Sequence, residues 1–202
     1  MRVGIFGGSF DPVHLAHLLL AESCLEGAQL DQVLFMPCAT QPHKPDRVLA
    51  DAKHRQAMLE LAIGGHPQFA VSTLELDRGG VSFTVETLRA LTAARPDDTF
   101  YFLMGGDSLA DFPKWREPEE ICRLAIPLVV RRTGSPEPAW DSFAPWVTAQ
   151  RLAEIQKLQI SMPIIELSST EIRQRVRDKR TIRYRLPRSV EMYIRQQQLY
   201  IG

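Results

Sequence analysis

Short apolar runs alternate with helix-like segments along the whole chain. The runs that read as buried strands are Val3–Phe6, Gln32–Pro37, Phe69–Thr73, Thr99–Met104, Ile126–Arg131 and Ile160–Leu167, the last interrupted by Pro163. Between them, apolar residues recur three or four positions apart, as on one face of a helix. This alternation predicts an α/β fold, a doubly wound parallel sheet with helices on both faces and with ligands at the carboxyl ends of its strands.

The predicted helices fill the gaps between these strands. They cover Leu15–Leu25, a stretch from a cap at Asp51 through Ala62, Val85–Leu91, a segment beginning near Pro118, Thr148–Gln159, Ser169–Asp178 and Pro187–Gln197. Ser135–Pro145 contains three prolines and is expected to be a surface loop. No linker or repeat interrupts the pattern, so we expect one domain over residues 1–202.

Composition and charge exclude several classes of protein. The formal net charge is zero, which gives no overall attraction to nucleic acid or anionic lipid. A basic tract from Arg173 to Arg195 is expected to be mostly solvated surface, with one or two side chains able to reach a polyphosphate. No apolar stretch reaches the roughly 18 residues of a membrane helix, and the first residues lack a secretory pattern. The sequence therefore predicts a cytoplasmic protein.

Three scattered cysteines, Cys24, Cys38 and Cys122, include no CxxC pair. This spacing argues against a disulfide framework or a thiolate metal site, and we expect reduced thiols.

The loop after the first strand carries the most unusual residues. Gly7 and Gly8 permit positive φ angles and a close approach of backbone N–H groups to an anion. A helix N-terminus follows and adds partial positive charge. His14 and His17 are three positions apart, so both can donate to phosphate oxygens from one side of a helical turn. Zinc would need a third ligand, which the neighbouring sequence does not supply.

Two motifs carry a family resemblance. GGSFDPVHLAH resembles the signature G-[ST]-F-D-P-x-H-x-G-H of the adenylyltransferase branch of the nucleotidyltransferase superfamily, with Ala16 in place of glycine. About 150 residues later, LSSTEIR resembles the family's second motif, [IT]-S-[SA]-T-x-[IL]-R, with Leu167 in its first place. Two specific motifs in the right order indicate far more than either does alone.

Further segments narrow the resemblance to the bacterial nicotinate-mononucleotide adenylyltransferases. These are Pro-His-Lys around Lys44, Ser82-Phe83-Thr84, GGDSLADFPKW from Gly105 to Trp115, and Arg132. By their chemistry, Asp107 can cap a helix or take a ribose hydroxyl, and Trp115 can stack on a flat ring. Cys38 stands where relatives carry a polar or small residue. The resemblance covers essentially the whole chain and implies a Rossmann-like nucleotidyltransferase fold.

The resemblance also implies a reaction and a site. The adenylyl group of ATP passes to nicotinate mononucleotide, giving deamido-NAD and pyrophosphate, with Mg²⁺ delivered by ATP and no dedicated protein metal site. The helices of residues 168–202 would complete the ATP site. Catalysis falls to His14, His17 and Lys44, ATP binding to Gly7, Gly8, Ser9, Phe10, His14, His17, Gly105, Asp107, Ser168, Ser169, Thr170 and Arg173, and mononucleotide binding to Ser82, Thr84, Trp115 and Arg132.

Alternatives stay open at this point. Nicotinamide mononucleotide differs from nicotinate mononucleotide by one charge, and phosphopantetheine adenylyltransferases share the first motif. A non-catalytic nucleotide- or RNA-binding module is supported only by the basic tract, against the neutral total charge. We expect no nucleic-acid or membrane partner, and a homo-oligomer is compatible with the sequence.

Overall fold

A computed structural model of the chain describes residues 1–42, 48–132, 134 and 136–201, with the backbone alone at Asp107. The strands are β1 Arg2–Gly8, β2 Gln32–Pro37, β3 Phe69–Val71, β4 Thr99–Gly105, β5 Ile126–Arg132 and β6 Ile160–Met162. Within these described residues they form one sheet in the order β3-β2-β1-β4-β5-β6. Every neighbouring pair is parallel, so the predicted doubly wound parallel sheet is confirmed.

Helices connect the strands and cover both faces of the sheet. They are α1 Leu15–Gly27, α2 Ala52–Ile63, α3 Leu74–Arg78, α4 Thr84–Ala94, α5 Gly106–Leu109, α6 Pro118–Leu124, α7 Ala149–Lys157, α8 Ser169–Arg177 and α9 Arg188–Gln196. Short 3₁₀ turns occur at Phe112–Lys114 and Trp140–Ser142. None of the helices in the described part of the chain is both long and apolar enough to cross a membrane.

The apolar sequence of β4 shows how the two faces are filled. Phe100, Phe102 and Met104 point to one side and join the cluster formed with α4, α6 and α7. Tyr101 and Leu103 point to the other side, where α1, α2, α8 and α9 pack. Because successive side chains of a strand alternate between faces, a continuous apolar run is what a central strand covered on both sides requires.

Two predicted boundaries change in the structure. The last strand was expected to continue to Leu167, but β6 ends at Met162, directly before Pro163. Proline has no N–H to donate to a sheet, so it ends the pairing there. The loop expected over Ser135–Pro145 contains the Trp140–Ser142 turn, which leads into the fully buried Phe143.

The predicted helix caps have different outcomes. Asp51 is the N-cap residue of α2, but its side chain makes no capping hydrogen bond. For Asp107 a helix cap and a ribose contact were both open, and Asp107 lies inside α5 while Gly105 occupies the cap position. By contrast, Ser168 caps α8, with its Oγ accepting from the Glu171 N–H at 3.1 Å.

The side chains of all three cysteines are buried. Burial raises the pKa of both Cys24 and Cys122 to about 12, so these thiols stay protonated and act as small apolar side chains.

Helix α2 offers a matched test of the packing. Leu59 is fully buried in the core, whereas Leu61 on the same helix is 41% exposed. We expect Leu59→Ala to lower the free energy of unfolding by about 2–5 kcal/mol, because it leaves a cavity, and Leu61→Ala by less than about 1 kcal/mol. Urea denaturation of both variants measures this difference. Equal losses would contradict the described packing of α2.

Candidate active site

Two clefts open at the carboxyl edge of the sheet, near the point between β1 and β4 where the strand order reverses direction. The first cleft has a volume of about 480 Å³ and is lined by the loop after β1, the ends of β4 and β5, residues 136–139 and residues 167–170. The second has a volume of about 560 Å³ and is lined by β1, α4, Cys38 and residues 114–116. Such a reversal is where open α/β sheets bind ligands.

Phe10 anchors the loop between β1 and α1. It has a φ of 46°, in the left-handed region, and is 1% exposed. Its ring meets Phe6 and Phe35 with centroid distances of 5.3 and 5.8 Å. A Cβ on Gly8 would lie 3.1 Å from this ring, so the glycine provides the space that Phe10 occupies. The unusual backbone of the loop is therefore held by aromatic packing.

The two glycines act differently from the sequence expectation. Neither Gly7 nor Gly8 has a positive φ, and Phe10 carries the left-handed conformation instead. A Cβ on Gly7 would find no atom within 4 Å, which leaves its backbone open beside the second cleft. The two glycines thus line the second cleft, whereas Ser9 lines the first.

His14 and His17 form a stacked pair on the wall of the first cleft. Their ring centroids are 3.6 Å apart with an interplanar angle of 15°. The backbone N–H of His14 donates to Nδ1 of His17 at 3.2 Å. Because Nδ1 accepts this bond, we assign the proton of the neutral His17 ring to Nε2, which is then a donor.

Both imidazoles are neutral near pH 7 in the structure without ligand. Burial lowers the pKa of His14 from 6.5 to about 4, although a backbone hydrogen bond partly opposes this. Burial, and then the charge of His14, hold the pKa of His17 well below 6.5. Phe6 and Phe10 contribute to this apolar setting, with centroids 6.0 and 5.1 Å from the ring of His17.

The second motif meets the first at the start of α8. Ser169 Oγ donates to the carbonyl oxygen of Pro12 at 2.9 Å. Arg173 Nη1 donates to the carbonyl oxygen of Asp11 at 2.7 Å and lies 3.6 Å from the Asp11 carboxylate. These contacts join residues 157 and 162 positions apart. The two motifs recognised in the sequence therefore build one site.

The second cleft has an aromatic and partly basic wall. Trp115 packs against Phe102 with a centroid distance of 5.5 Å and an interplanar angle of 75°. The Arg116 guanidinium lies 4.7 Å from the centre of the Phe83 ring. Helix α4 begins at Thr84 without a side-chain capping hydrogen bond, and Ser82 Oγ accepts from the Ala39 N–H at 2.9 Å. An anionic ligand with a flat ring fits these surroundings.

Most of the predicted residues meet at the two clefts. The first cleft brings together Ser9, His14, His17, Gly105, Ser168, Ser169 and Thr170. The second brings together Ser82, Thr84 and Trp115. Phe10 supports the loop from below, and Arg173 contacts the loop through Asp11.

Other predicted residues lie on a different cleft from their predicted partners. Arg132, predicted to bind the mononucleotide with Ser82, Thr84 and Trp115, lines the first cleft, because β5 ends on the far side of β4 from β1. Gly7 and Gly8, predicted to bind ATP, line the second cleft, and the ligand assignments of all three stay predictions. Lys44 lies outside the described residues, as does the side chain of Asp107.

Sequence reasoning missed two groups of residues. Gln41 and residues 136–139 line the clefts, but a proline-rich loop gives no chemical signal for that position. Arg55 is 2% exposed and donates to the carbonyl oxygens of Ser9 and Cys38 at 3.0 and 2.8 Å. A lone arginine in a helical pattern looks like a surface residue. Its only sequence signal is that it falls near the apolar face of α2.

Comparison with known proteins agrees with this geometry. A sequence model of the cytidylyltransferase-like family matches residues 5–175. A "probable nicotinate-nucleotide adenylyltransferase" of Salinibacter ruber is 43% identical over 200 residues, covering 99% of this chain and 98% of that protein. A protein of the same name from Geobacillus thermodenitrificans is 38% identical over 199 residues, covering 98% and 86%.

Among solved structures, the fold matches Plasmodium falciparum nicotinic acid mononucleotide adenylyltransferase complexed with NaAD. The TM-score is 0.74 at 20% identity, over 98% of this chain and 97% of that one. At this identity the match shows the fold, while the sequence relatives above show the family. The chain belongs to the cytidylyltransferase-like family and, within it, to the nicotinate-nucleotide adenylyltransferases.

Proposed function

We propose that this chain transfers the adenylyl group of ATP to nicotinate mononucleotide, with ATP in the first cleft and the mononucleotide in the second. The observation that carries the proposal is the meeting of the histidine loop and the start of α8 at one cleft. The residues Gly7, Gly8 and Ser9 continue from one cleft to the other. Two ligands that fill these clefts would therefore approach each other along the same loop.

In the first cleft, neutral donors support binding of a triphosphate. The Nε2–H of His17 and the backbone N–H groups of Ser169 and Thr170 at the start of α8 can donate to phosphate oxygens, and the helix dipole adds positive potential there. Arg173, one turn into α8, lies 3.6 Å from the Asp11 carboxylate, so its charge is offset and it holds the loop in place. Mg²⁺ belongs to this picture as part of the substrate MgATP, which keeps water and phosphate oxygens as ligands.

In the second cleft, the start of α4 supports an acidic acceptor. Lys114 and Arg116 also lie on the wall, paired with Asp111 and Glu86 at 2.7 Å each, and Glu75 is the acidic residue among the described lining. Thr87 Oγ1 donates to Glu75 Oε1 at 2.6 Å, which occupies part of that carboxylate. We assign the pyridine ring to Trp115 and its carboxylate to the start of α4, near Thr84.

The reaction needs alignment more than acid-base catalysis. A phosphate oxygen of the mononucleotide attacks the α-phosphorus of ATP, the new P–O bond forms, and the bond to the β-phosphate breaks to release pyrophosphate. The nucleophile is already an anion, so no general base is required. The donors of the first cleft stabilise charge that grows on the leaving pyrophosphate. We further propose one domain over the whole chain, with residues 168–202 completing the ATP site.

One assay tests the proposed function. The protein is incubated with MgATP and, separately, nicotinate mononucleotide, nicotinamide mononucleotide or phosphopantetheine, and pyrophosphate and adenylylated product are measured. We expect product with nicotinate mononucleotide and a much lower kcat/KM with the other two. Absence of pyrophosphate with all three acceptors would refute the function. A cytoplasmic location and a homo-oligomeric state stay predictions of the sequence.

The role of His17 is tested by two substitutions. His17→Ala removes a donor to the transition state, so we expect kcat to fall by about 10²–10³. His17→Asn offers an acceptor near the position of Nδ1 for the His14 N–H but lacks Nε2. We therefore expect its kcat to fall by a similar factor and its thermal midpoint to be higher than that of His17→Ala. His66→Ala is the control, because His66 pairs with Glu22 outside both clefts. An unimpaired His17→Ala enzyme would remove His17 from the mechanism.

The role of Trp115 is tested by separating the two substrates. We expect Trp115→Ala to raise KM for the mononucleotide about tenfold or more and KM for ATP by less than about twofold, because it removes a stacking surface from the second cleft only. Trp115→Phe keeps a flat ring and should fall between wild type and Trp115→Ala. Steady-state kinetics with each substrate varied in turn gives the comparison. Equal increases for both substrates would contradict the stacking role.

The lowered pKa of His14 predicts proton uptake when ATP binds. A polyanion beside His14 stabilises its charged form, which raises its pKa from about 4 towards the ordinary value, whereas Nδ1 of His17 stays an acceptor for the His14 N–H. Between the free-state value of about 4 for His14 and 6.5, binding therefore takes up protons, and affinity for ATP rises as pH falls through this window.

Titration calorimetry measures this uptake. At about pH 5.5, binding of MgATP in two buffers with different ionisation enthalpies should give different heats, and the difference should shrink in a His14→Asn variant. Equal heats for wild type in both buffers would show that His14 does not change protonation.

A further inference from the structure

The segment after α9 returns to the loop between β1 and α1. Its Tyr200 has a φ of 66°, in the left-handed region, and its ring packs partly buried against the core. The Tyr200 hydroxyl donates to Asp11 Oδ1 at 2.7 Å, across 189 positions of sequence. A non-glycine residue in this backbone conformation is costly, so the surrounding contacts must hold it in place.

Asp11 needs this donor because its carboxylate is buried. It is 1% exposed, and burial of an ionised carboxylate is strongly unfavourable without hydrogen bonds. Oδ1 also accepts from the Ala50 N–H at 3.3 Å, while Oδ2 has no hydrogen-bond partner among the described residues. Arg173 Nη1 lies 3.6 Å from Oδ2. Tyr200 thus makes the shortest bond that the described residues offer to this carboxylate.

The same loop has no sheet or helix pairing of its own between Ser9 and Val13, so its position depends on such tethers. Its carbonyl oxygens accept from Arg55, Ser169 and Arg173. The Asp11 side chain is the one point where the loop is tied to the segment after α9 by a side-chain hydrogen bond in the described structure.

We infer that Tyr200 is a positioning residue for adenylyl transfer: its hydroxyl fixes Asp11 and, through Asp11, the backbone that presents Ser9 and His14 to the first cleft. The inference rests on the proposed assignment of ATP to that cleft. Burial raises the pKa of Tyr200 above its usual 10, and the charge of Asp11 acts in the same direction, so the phenol keeps its proton and remains a donor.

The chain contains a matched control for loss of a tyrosine hydroxyl. Tyr193 on α9 makes a 2.9 Å hydrogen bond with His54 on α2. Both tyrosines link the C-terminal part of the chain to another part of the fold: Tyr193 from α9 and Tyr200 from the segment after α9. Unlike Tyr200, Tyr193 makes no described hydrogen bond to the loop between β1 and α1, so its loss reports on stability alone.

The experiment compares Tyr200→Phe with Tyr193→Phe, both well below their thermal midpoints. Affinity for a non-hydrolysable ATP analogue is measured by calorimetry, and KM for the mononucleotide by initial rates. We expect Tyr200→Phe to raise the Kd of the analogue about tenfold, because a bond to a buried charge is lost and the loop shifts. KM for the mononucleotide should stay within about twofold, and Tyr193→Phe should leave both values within about twofold of wild type.

The outcomes separate the inference from the proposed function. If wild type makes pyrophosphate and deamido-NAD but Tyr200→Phe binds the analogue as wild type does, the inference fails and the function stands. If both variants raise the Kd equally, the effect is one of general stability and the inference again fails. If wild type neither binds the analogue nor transfers an adenylyl group, the proposed function itself is wrong.

Discussion

The clefts at the carboxyl edge of the sheet depend on hydrogen bonds to the backbone carbonyl oxygens between β1 and α1. Arg55, Ser169 and Arg173 donate to the carbonyl oxygens of loop residues 9–12. Carbonyl oxygens carry partial negative charge, and unpaired ones beside a polyphosphate would repel it. Two guanidinium groups and a hydroxyl bind these oxygens, so the loop can meet an anion with its donors. The contacts of Ser169 and Arg173 also hold α8 against the loop after β1, so they bring the two sequence motifs together.

The two imidazoles on the first cleft are held in their neutral forms by burial. The imidazoles of His14 and His17 are stacked 3.6 Å apart, and two protonated rings at that separation would repel each other. Burial among aromatic rings keeps both neutral, and a neutral imidazole still donates one N–H. A bound polyanion changes this balance, because it stabilises the imidazolium form of His14, which burial disfavours. The site is therefore preorganised in geometry without carrying the full electrostatic cost of two buried cations.

The fold was largely predictable from the sequence because its signals are local. The apolar run Gln32–Pro37 gives β2 to the residue, and the uninterrupted apolar β4 identifies a central strand. The motif residues at the first cleft were predictable because family patterns record their spacing. The position of Arg132 on the first cleft was not predictable, since it depends on where β5 lies relative to β4. Arg55 bonds to a backbone carbonyl oxygen and Tyr200 to a carboxylate oxygen, each on a residue far away in the sequence. No short sequence pattern predicts such contacts.

The strand order opens two clefts on either side of one loop. The reversal between β1 and β4 sends neighbouring connections to opposite sides, which opens one cleft towards β5 and β6 and another towards β2. Gly7, Gly8 and Ser9 stand between them, so a single loop faces both clefts. Two phosphates repel each other in water, and bringing them into line accounts for part of the barrier to their reaction. In the proposed reaction, a loop between the two substrates lowers that part of the barrier by position, so the contacts that fix the loop become important for the chemistry.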